Sequence, residues 1–456
     1  MADDSLLLTQ QPIPQLIRKI ATPASVGFFF QTMFNITDTY FAGLISTNAV
    51  AALSLSFPVF FIVISLSSGL QTGATALIAT AIGSRDMKDA RELARQAVIF
   101  GGLVAFLVSV IGYFASPFFF GLLGASGEYL EDCLLYMQPI FIGAVFFVLN
   151  GIFNAALNAT GDTKTFRNVL IVGSLANVGL DPWFIYGGFG IPAMGITGIA
   201  LSTVLTQAVQ MIYLAYRAKQ TGLLQDFLTP RGYTPHPATL TRIFKQGFPA
   251  SMNMVTVGLG IFIITYFISI FGKEAVAGYG VATRVEQIIL MPTIGLNVAV
   301  LSLTAQNHGA GLDERIRETL HKVLVYGAWL MVGGVIIIYT LAEQLIALFT
   351  PDPAVVAAGS QYLHVAALTL YSYVVLYSHT SCMQGLKCPM FAVWIGLFRQ
   401  IIAPALVFWT CTSVLGLGLN SIWWGIFAVT WVAALYAFWY CRKILRNLPT
   451  EKICIK

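Results

Sequence analysis

Long apolar stretches separated by short polar loops make up most of the chain. Twelve of these stretches are long enough to cross a bilayer, because about 20 apolar residues in a helix span its hydrocarbon core. Their approximate limits are 16–44, 50–82, 92–116, 130–158, 164–187, 194–217, 240–271, 276–308, 320–343, 355–385, 389–413 and 421–441. The pattern therefore predicts an all-α polytopic membrane protein with twelve transmembrane helices.

Only one long polar segment interrupts this pattern, at residues 218–239. It divides the chain into two halves that contain six predicted helices each. We therefore expect an N-terminal lobe at 1–217, a cytoplasmic linker at 218–239 and a C-terminal lobe at 240–456.

The two halves repeat short motifs at a constant offset of 226 residues. Pro-Ala-Ser at 23–25 returns at 249–251, and Thr-Tyr-Phe at 39–41 returns at 265–267. An even number of helices inserts both halves in the same direction, so they should be related by a pseudo-twofold axis along the membrane normal. Transporters built from such repeats bind their substrates and ions near the membrane midplane.

The charged residues give the orientation of the chain. Only 10% of the residues are charged, against about a quarter in soluble domains. All but three of the 25 Lys and Arg residues lie in the termini, in the even-numbered loops or at their borders, the exceptions being Lys273, Arg284 and Arg399. This bias predicts cytoplasmic termini in an inner (plasma) membrane. The net charge of +5 comes from these basic loop residues, which orient the protein in the membrane. No nucleic-acid partner is therefore expected.

A single carboxylate, Asp38, interrupts the first apolar stretch, within the sequence FFFQTMFNITDTYFAG. An aspartate at this depth costs roughly 2.5–3.5 kcal/mol even on the lenient insertion scale. A water-filled cavity, a proton, a cation or a polar partner must offset that cost. Asn35 is one turn away, and the repeat partner of Asp38 is Ile264, so the duplicated scaffold does not require the acid.

Further polar residues recur at four-residue spacing in the neighbouring stretches. Asn177 and Asp181 fall on one face of the fifth helix, and Asn150 and Asn154 on one face of the fourth. Two carboxylates in one apolar cavity do not both ionise cheaply, so a shared proton is expected, or Na⁺ bound at Asp38, Asn177 and Asp181. For the asparagines, hydrogen bonding between helices is an equally good interpretation.

The eighth stretch carries Arg284 and Glu286, which are two residues apart and so do not face each other on a regular helix. Each can pair with another helix or line a substrate cavity. The substrate-cavity candidates are Gln31, Tyr40, Asn150, Phe153, Arg284 and Glu286. No catalytic or cofactor site is predicted, because His364 and His379 have no acidic partner nearby and the cysteines lack metal-ligand spacing.

In these residues and motifs, the chain resembles the multidrug and toxic compound extrusion (MATE) transporters. The resemblance covers both halves and rests on NITDTYFAG, the polar cluster from Asn154 to Asp181, ATRVEQ in the eighth stretch and AQNHGAG at its end. The concentration of acids in the first half is similar to the DinF-like bacterial and archaeal branch. The resemblance implies two lobes in a V shape and cation-driven efflux of cationic or amphipathic drugs.

The resemblance also implies roles for individual residues. Asp38, Asn154, Asn177 and Asp181 correspond to the cation-coupling cluster, to which Asn35 is added from its position beside Asp38. Glu286 corresponds to a second-lobe acid that only some branches use. The tenth and eleventh stretches carry no acid, unlike the NorM-like branch, which argues against a second-lobe Na⁺ site.

The sequence thus predicts a secondary antiporter, working as a monomer, that is driven by H⁺ in preference to Na⁺ and needs no cofactor. The main alternative is a flippase for lipids or lipid-linked oligosaccharides from the same superfamily. That function would favour a cationic cavity for phosphates, whereas only Arg284 and Arg399 are intramembrane cations, against three acids. A membrane-embedded enzyme and a non-transporting receptor fit the paired acids less well.

Overall fold

The chain is helical throughout the part that the computed structural model describes, residues 7–225 and 234–448. The first half contains α1 (Leu7–Gln10), α2 (Ile13–Ile45), α3 (Thr47–Gly83), α4 (Met87–Leu122), α5 (Gly127–Ile142), α6 (Ala144–Ala159), α7 (Lys164–Tyr186) and α8 (Ile196–Gln220). The second half contains α9 (Pro237–Ser269), α10 (Lys273–Gly309), α11 (Asp313–Ala347), α12 (Pro353–Ala367), α13 (Leu370–Gly385), α14 (Met390–Leu397), α15 (Ala403–Trp409) and α16 (Asn420–Asn447). Two π-helical turns, π1 (Phe398–Ile402) and π2 (Thr410–Val414), flank α15.

These two ranges contain no β-strand, so the predicted all-α class is confirmed. Residues 226–233 of the predicted linker lie outside the described part of the chain. On either side of them, α8 ends at Gln220 and α9 begins at Pro237.

The described helices match eleven of the twelve predicted membrane-spanning stretches by length and composition. Nine described helices, counting α14 to π2 as one, are long and apolar enough to cross a membrane, and the count is eleven if each of two bent pairs is one span. The bent pairs are α5–α6, at 46°, and α12–α13, at 54°, which occupy the predicted stretches 130–158 and 355–385. By length, α2 supplies the twelfth, because its 33 residues extend about 50 Å at 1.5 Å per residue. The chain is therefore a polytopic membrane protein.

The bend between α5 and α6 has a local cause. Pro139 has no backbone N–H, so the helix loses one of its hydrogen bonds just before the break at Gly143. A Cβ atom on Gly143 would overlap the side chain of Val204 in α8, so the glycine lets the bent pair pack closely against that helix.

The described helices form two compact units, whose boundaries differ from those of the predicted lobes. Unit 1 contains Val26–Ser251 and unit 2 contains Leu8–Ser25 together with Met252–Lys456. The first part of α2 therefore belongs to unit 2, and the first part of α9 belongs to unit 1. The lobes at 1–217 and 240–456 stay a prediction that is based on the sequence repeat.

In each unit, the helix segment that comes from the other half of the chain makes an equivalent contact. In unit 1, Ser251 of α9 donates a hydrogen bond to the carbonyl of Leu66 at 3.4 Å. In unit 2, Ser25 of α2 donates one to the carbonyl of Pro292 at 3.3 Å. Both the donors and the acceptors are repeat partners at the 226-residue offset. The duplication seen in the sequence is thus a duplication of packing as well.

Two glycines allow this close packing, and they are also repeat partners. A Cβ atom on Gly69 would overlap the backbone of Ser251, and a Cβ atom on Gly295 would overlap Ser25 and the carbonyl oxygen of Ala21. The facing atoms are mostly backbone, so they cannot move aside as a flexible side chain could.

We expect Gly69→Ala and Gly295→Ala each to lower the free energy of unfolding by about 1–3 kcal/mol, because the added methyl group overpacks a rigid helix contact. The measurement is the thermal unfolding midpoint of the purified protein in detergent. Gly102→Ala in α4 is the matched control, because nothing lies within 4 Å of its added Cβ. Equal midpoints for all three variants would contradict the packing role of the two glycines.

Candidate functional site

Three helices of unit 1 bring polar side chains together around Asp38. Asp38 lies on α2 and is only 5% exposed. Asn177 and Asp181 come from α7, where their four-residue spacing puts both on one face, and both are fully buried. Ser202 and Thr203 come from α8 and are buried beside them. These five residues are called the acid cluster below.

The hydrogen bonds of the acid cluster satisfy all four carboxylate oxygens. Asn177 Nδ2 donates to Asp38 Oδ1 at 2.5 Å and to Asp181 Oδ2 at 3.0 Å, so one amide group joins the two acids. Thr203 Oγ1 donates to Asp38 Oδ2 at 3.2 Å. Ser202 Oγ donates to Asp181 Oδ1. Each oxygen of the two acids therefore accepts one hydrogen bond from the protein.

All of these donors are neutral, and this determines the electrostatics of the site. Among the described residues, the ion pairs do not include Asp38 or Asp181. Two ionised carboxylates joined through one amide would therefore carry two uncompensated negative charges inside the protein. At an effective dielectric constant of about 20, unit charges 4 Å apart interact by about 4 kcal/mol. The site thus favours a bound proton or a small cation.

The site offers hard oxygen ligands but no transition-metal cluster. The described residues contain no group of three or more His, Cys, Asp or Glu side chains that could hold a metal ion. Carboxylate and hydroxyl oxygens suit Na⁺ rather than a thiolate-binding or imidazole-binding metal. Asn177, however, presents its N–H₂ group and not its oxygen to both acids.

The asparagines of α6 lie close to α8 but outside the hydrogen bonds of the acid cluster. Asn150 Nδ2 donates to the side-chain oxygen of Gln207 at 2.6 Å, which is the interhelical bond that the alternative interpretation predicts. Asn154 is 1% exposed, and its Oδ1 has no hydrogen-bond partner among the described residues. Phe153, between them in sequence, is buried.

Several predicted site residues do not contact the acids. Asn35 and Tyr40 are exposed, and Gln31 is half-buried. Arg284 is exposed on α10, whereas Glu286 is buried, so their two-residue spacing turns them in different directions. Glu286 lies in unit 2, where Tyr362 donates a hydrogen bond to its Oε2 at 2.8 Å. The roles assigned to these residues stay predictions.

The two hydroxyl donors of α8, Ser202 and Thr203, were not among the predicted site residues. A signal was present, because Ser202, Thr206 and Gln210 recur every four residues and are all buried. Hydroxyl side chains are common in apolar helices, where they bond to the backbone of the preceding turn. Their presence alone therefore did not distinguish ligands from ordinary helix residues.

The MatE family profile matches residues 23–183 and 249–409, together more than two thirds of the 456 residues. The chain belongs to the MATE family. The two matched segments begin and end 226 residues apart, the same offset as the sequence repeat. The predicted membership and the MATE-type fold are therefore confirmed, and the chain is a membrane transporter.

Other MATE proteins are similar over nearly their full length. The probable multidrug resistance protein YoeA of Bacillus subtilis is 29% identical over 90% of this chain and 89% of its own. An FAD transporter of Shewanella oneidensis is 25% identical over 87% of each chain. A structure described as the outward-facing conformation of a multidrug resistance MATE transporter superposes with a TM-score of 0.91 at 25% identity, covering 98% of this chain and 99% of its own.

For this MATE transporter we expect the unfolding midpoint of the Asp181→Asn variant, relative to that of the wild type, to increase as the pH rises. In the wild type, ionisation of both acids at high pH would leave two buried negative charges, so the folded state would lose stability in that direction. The variant keeps a single charge and loses less. The difference in unfolding midpoint in detergent should grow from near zero at pH 5 to about 2 °C or more at pH 9.

The control for this comparison is Glu131→Gln, which neutralises an exposed acid in α5. Its midpoint should follow that of the wild type across the whole pH range. A wild-type midpoint that rises with pH relative to that of Asp181→Asn would mean that the two acids do not share a proton.

Proposed function

We propose that this MATE transporter is a cation-coupled antiporter that exports cationic or amphipathic organic compounds by alternating access. The coupling ion is H⁺ in preference to Na⁺, and its site is the acid cluster of unit 1. The observation that carries the proposal is that, among the described residues, Asp38 and Asp181 accept hydrogen bonds from neutral donors only and pair with no cationic side chain.

The hydrogen-bond pattern supports H⁺ over Na⁺. A proton needs one lone pair on one carboxylate oxygen, and each oxygen has a second lone pair beside the bond it already accepts. Na⁺ needs several oxygens that converge on one point. Asn177 directs its N–H₂ group toward both acids, so its amide would have to turn before it could serve as a ligand.

The position of the acids on separate helices suggests how the ion drives the cycle. Asp38 is on α2, and every donor to the pair is on α7 or α8. Protonation removes the repulsion between α2 and α7, and deprotonation restores it. The charge of the acid cluster thereby changes the packing of α2 against α7 and α8.

The energies are sufficient for transport against a gradient. Each pH unit across the membrane supplies about 1.4 kcal/mol per proton. A membrane potential of 100 mV supplies about 2.3 kcal/mol per charge, but a one-for-one exchange of H⁺ for a monocation moves no net charge and uses the pH gradient alone.

The names of relatives and the charge of the site support the proposed substrate class. YoeA is named as a probable multidrug resistance protein, and an acid cluster without a cationic partner suits cationic compounds. A relative from Shewanella oneidensis, in contrast, is named as an FAD transporter, and FAD is an anion. We place the protein in the cytoplasmic membrane with both termini inside, on the distribution of Lys and Arg.

We expect a pH gradient to drive a fluorescent cationic dye across proteoliposomes that contain the wild type, and Asp38→Asn to reduce that rate at least tenfold. The variant lacks the site that a proton occupies on α2. The assay is run with a pH gradient at equal Na⁺ and then with a Na⁺ gradient at equal pH, and Glu131→Gln serves as the control with an unchanged rate.

Each other outcome points to a different function. Transport driven only by Na⁺ would reject H⁺ as the coupling ion while leaving the site intact. Undiminished transport by Asp38→Asn would remove the acid cluster from the coupling mechanism. If no dye moves under either gradient, the antiport proposal fails and lipid-linked substrates of the flippase alternative are tested next.

A further inference from the structure

A cavity of about 190 Å³ lies within unit 2 and is bordered by α9, α10, α12, α13, α15, α16 and the π1 turn. Its walls are rich in aromatic rings, including Tyr279, Tyr362, Tyr373, Tyr377 and Phe408. Pockets for drug-sized ligands have volumes of roughly 300–1,000 Å³. This cavity, called the unit 2 cavity below, therefore suits a compound with a single aromatic ring.

One buried acid faces the unit 2 cavity. Glu286 of α10 is 5% exposed, and its Oε2 accepts the hydrogen bond from Tyr362. Its other oxygen, Oε1, has no hydrogen-bond partner among the described residues. An unsatisfied carboxylate oxygen costs several kcal/mol in an apolar surrounding. A donor or cation within the cavity would remove that cost.

One buried cation faces the same cavity. Arg399 is 9% exposed and lies on the π1 turn. Its Nη2 donates to the hydroxyl of Tyr377 at 3.2 Å, and its guanidinium carbon lies 5.4 Å from the ring centre of Tyr373. Single π-helical turns within α-helices are frequent at functional sites, because the extra residue turns a side chain away from the regular helix positions.

The two charges line one cavity but do not form an ion pair with each other. No Glu286–Arg399 contact within 4.0 Å occurs in the described part of the chain. A direct, well-paired contact is how buried charges normally lower their desolvation cost. Here Tyr362 holds the acid and Tyr377 holds the cation, so the two charges stay apart across the cavity.

This arrangement selects ligands by charge. A monocation would be attracted by Glu286 but repelled by Arg399, and a monoanion would meet the reverse. A zwitterion can place its positive group at Glu286 Oε1 and its negative group at Arg399 while its ring packs on the tyrosines. We propose that the unit 2 cavity binds small aromatic zwitterions.

The cavity charges are specific to the second half of the chain. At the 226-residue offset, the partner of Glu286 is Phe60 and the partner of Arg399 is Gly173. The first half of the chain therefore has no charged residue at either position, so the duplicated scaffold does not require these two charges. The acid cluster lies in unit 1, so this binding site is separate from the proposed coupling site.

The experiment is equilibrium binding by titration calorimetry to the purified protein in detergent at pH 7.5, with no ion gradient. The probes are 4-methylbenzylamine (a cation), 4-methylbenzoate (an anion) and 4-(aminomethyl)benzoate (a zwitterion of the same ring). Phenylalanine is added as a zwitterion with closer charges. We expect at least one of the two zwitterions to bind ten or more times tighter than either single-charge compound.

Substitutions should change the charge preference in opposite directions. Arg399→Gln should weaken zwitterion binding at least tenfold and make the amine the preferred probe, whereas Glu286→Gln should make the benzoate preferred. Lys273→Gln is the matched control, because this cation of α10 is exposed and does not line the cavity. The binding assay needs no ion gradient, which separates this result from the transport assay.

Two results would overturn the proposal. One is equal affinity of the wild type for all four probes, or no binding at millimolar concentration, and this needs no variant. The other is zwitterion binding that Arg399→Gln leaves unchanged, with an unfolding midpoint within a few degrees of wild type to show that the variant is folded.

Discussion

Two carboxylates, Asp38 and Asp181, are buried within a membrane protein, and in the part of the chain that the structure describes only neutral groups donate hydrogen bonds to them. Moving an ionised carboxylate from water into a protein interior costs several kcal/mol even after the surroundings relax. Four hydrogen bonds offset part of that cost, but none of them cancels the charge. The helices that carry the donors must therefore pack around the acids, and a mobile positive charge must complete the site. The packing of α2 against α7 and α8 depends on this requirement.

The scaffold around this site is a duplicated one, and the functional residues are additions to it. The close contact of Gly69 with Ser251 in unit 1 and that of Gly295 with Ser25 in unit 2 are made by repeat partners. In contrast, Asp38 corresponds to Ile264, and Arg399 corresponds to Gly173. Contacts that hold the helices are thus shared by both halves, whereas buried charges are not. A residue that breaks the repeat inside an apolar helix is a better indicator of function here than one that obeys it.

Much of this could be predicted from the sequence, because hydropathy and helical period are local properties. Apolar length predicted each spanning stretch, and the four-residue spacing of Asn177 and Asp181 predicted their common face. The π1 turn was missed because it depends on how neighbouring helices pack, and the bend between α5 and α6 was missed although Pro139 signals it locally. Asn35 was expected beside Asp38, one turn away, yet it is exposed. Three residues on a helix correspond to 300°, so the two side chains diverge by about 60°, which is enough to separate a buried face from an exposed one.

The buried charges of the two units differ in sign, and this difference affects what each site can bind. The acid cluster holds two charges of the same sign, so its stability changes when one proton is added or removed, as a coupling site requires. The unit 2 cavity holds charges of opposite sign, Glu286 and Arg399, and is neutral overall when both are ionised. A site of this kind is suited to discriminating ligands by charge. Neither α12 nor α13 carries an acid, so neither helix adds a second negative charge to the unit 2 cavity.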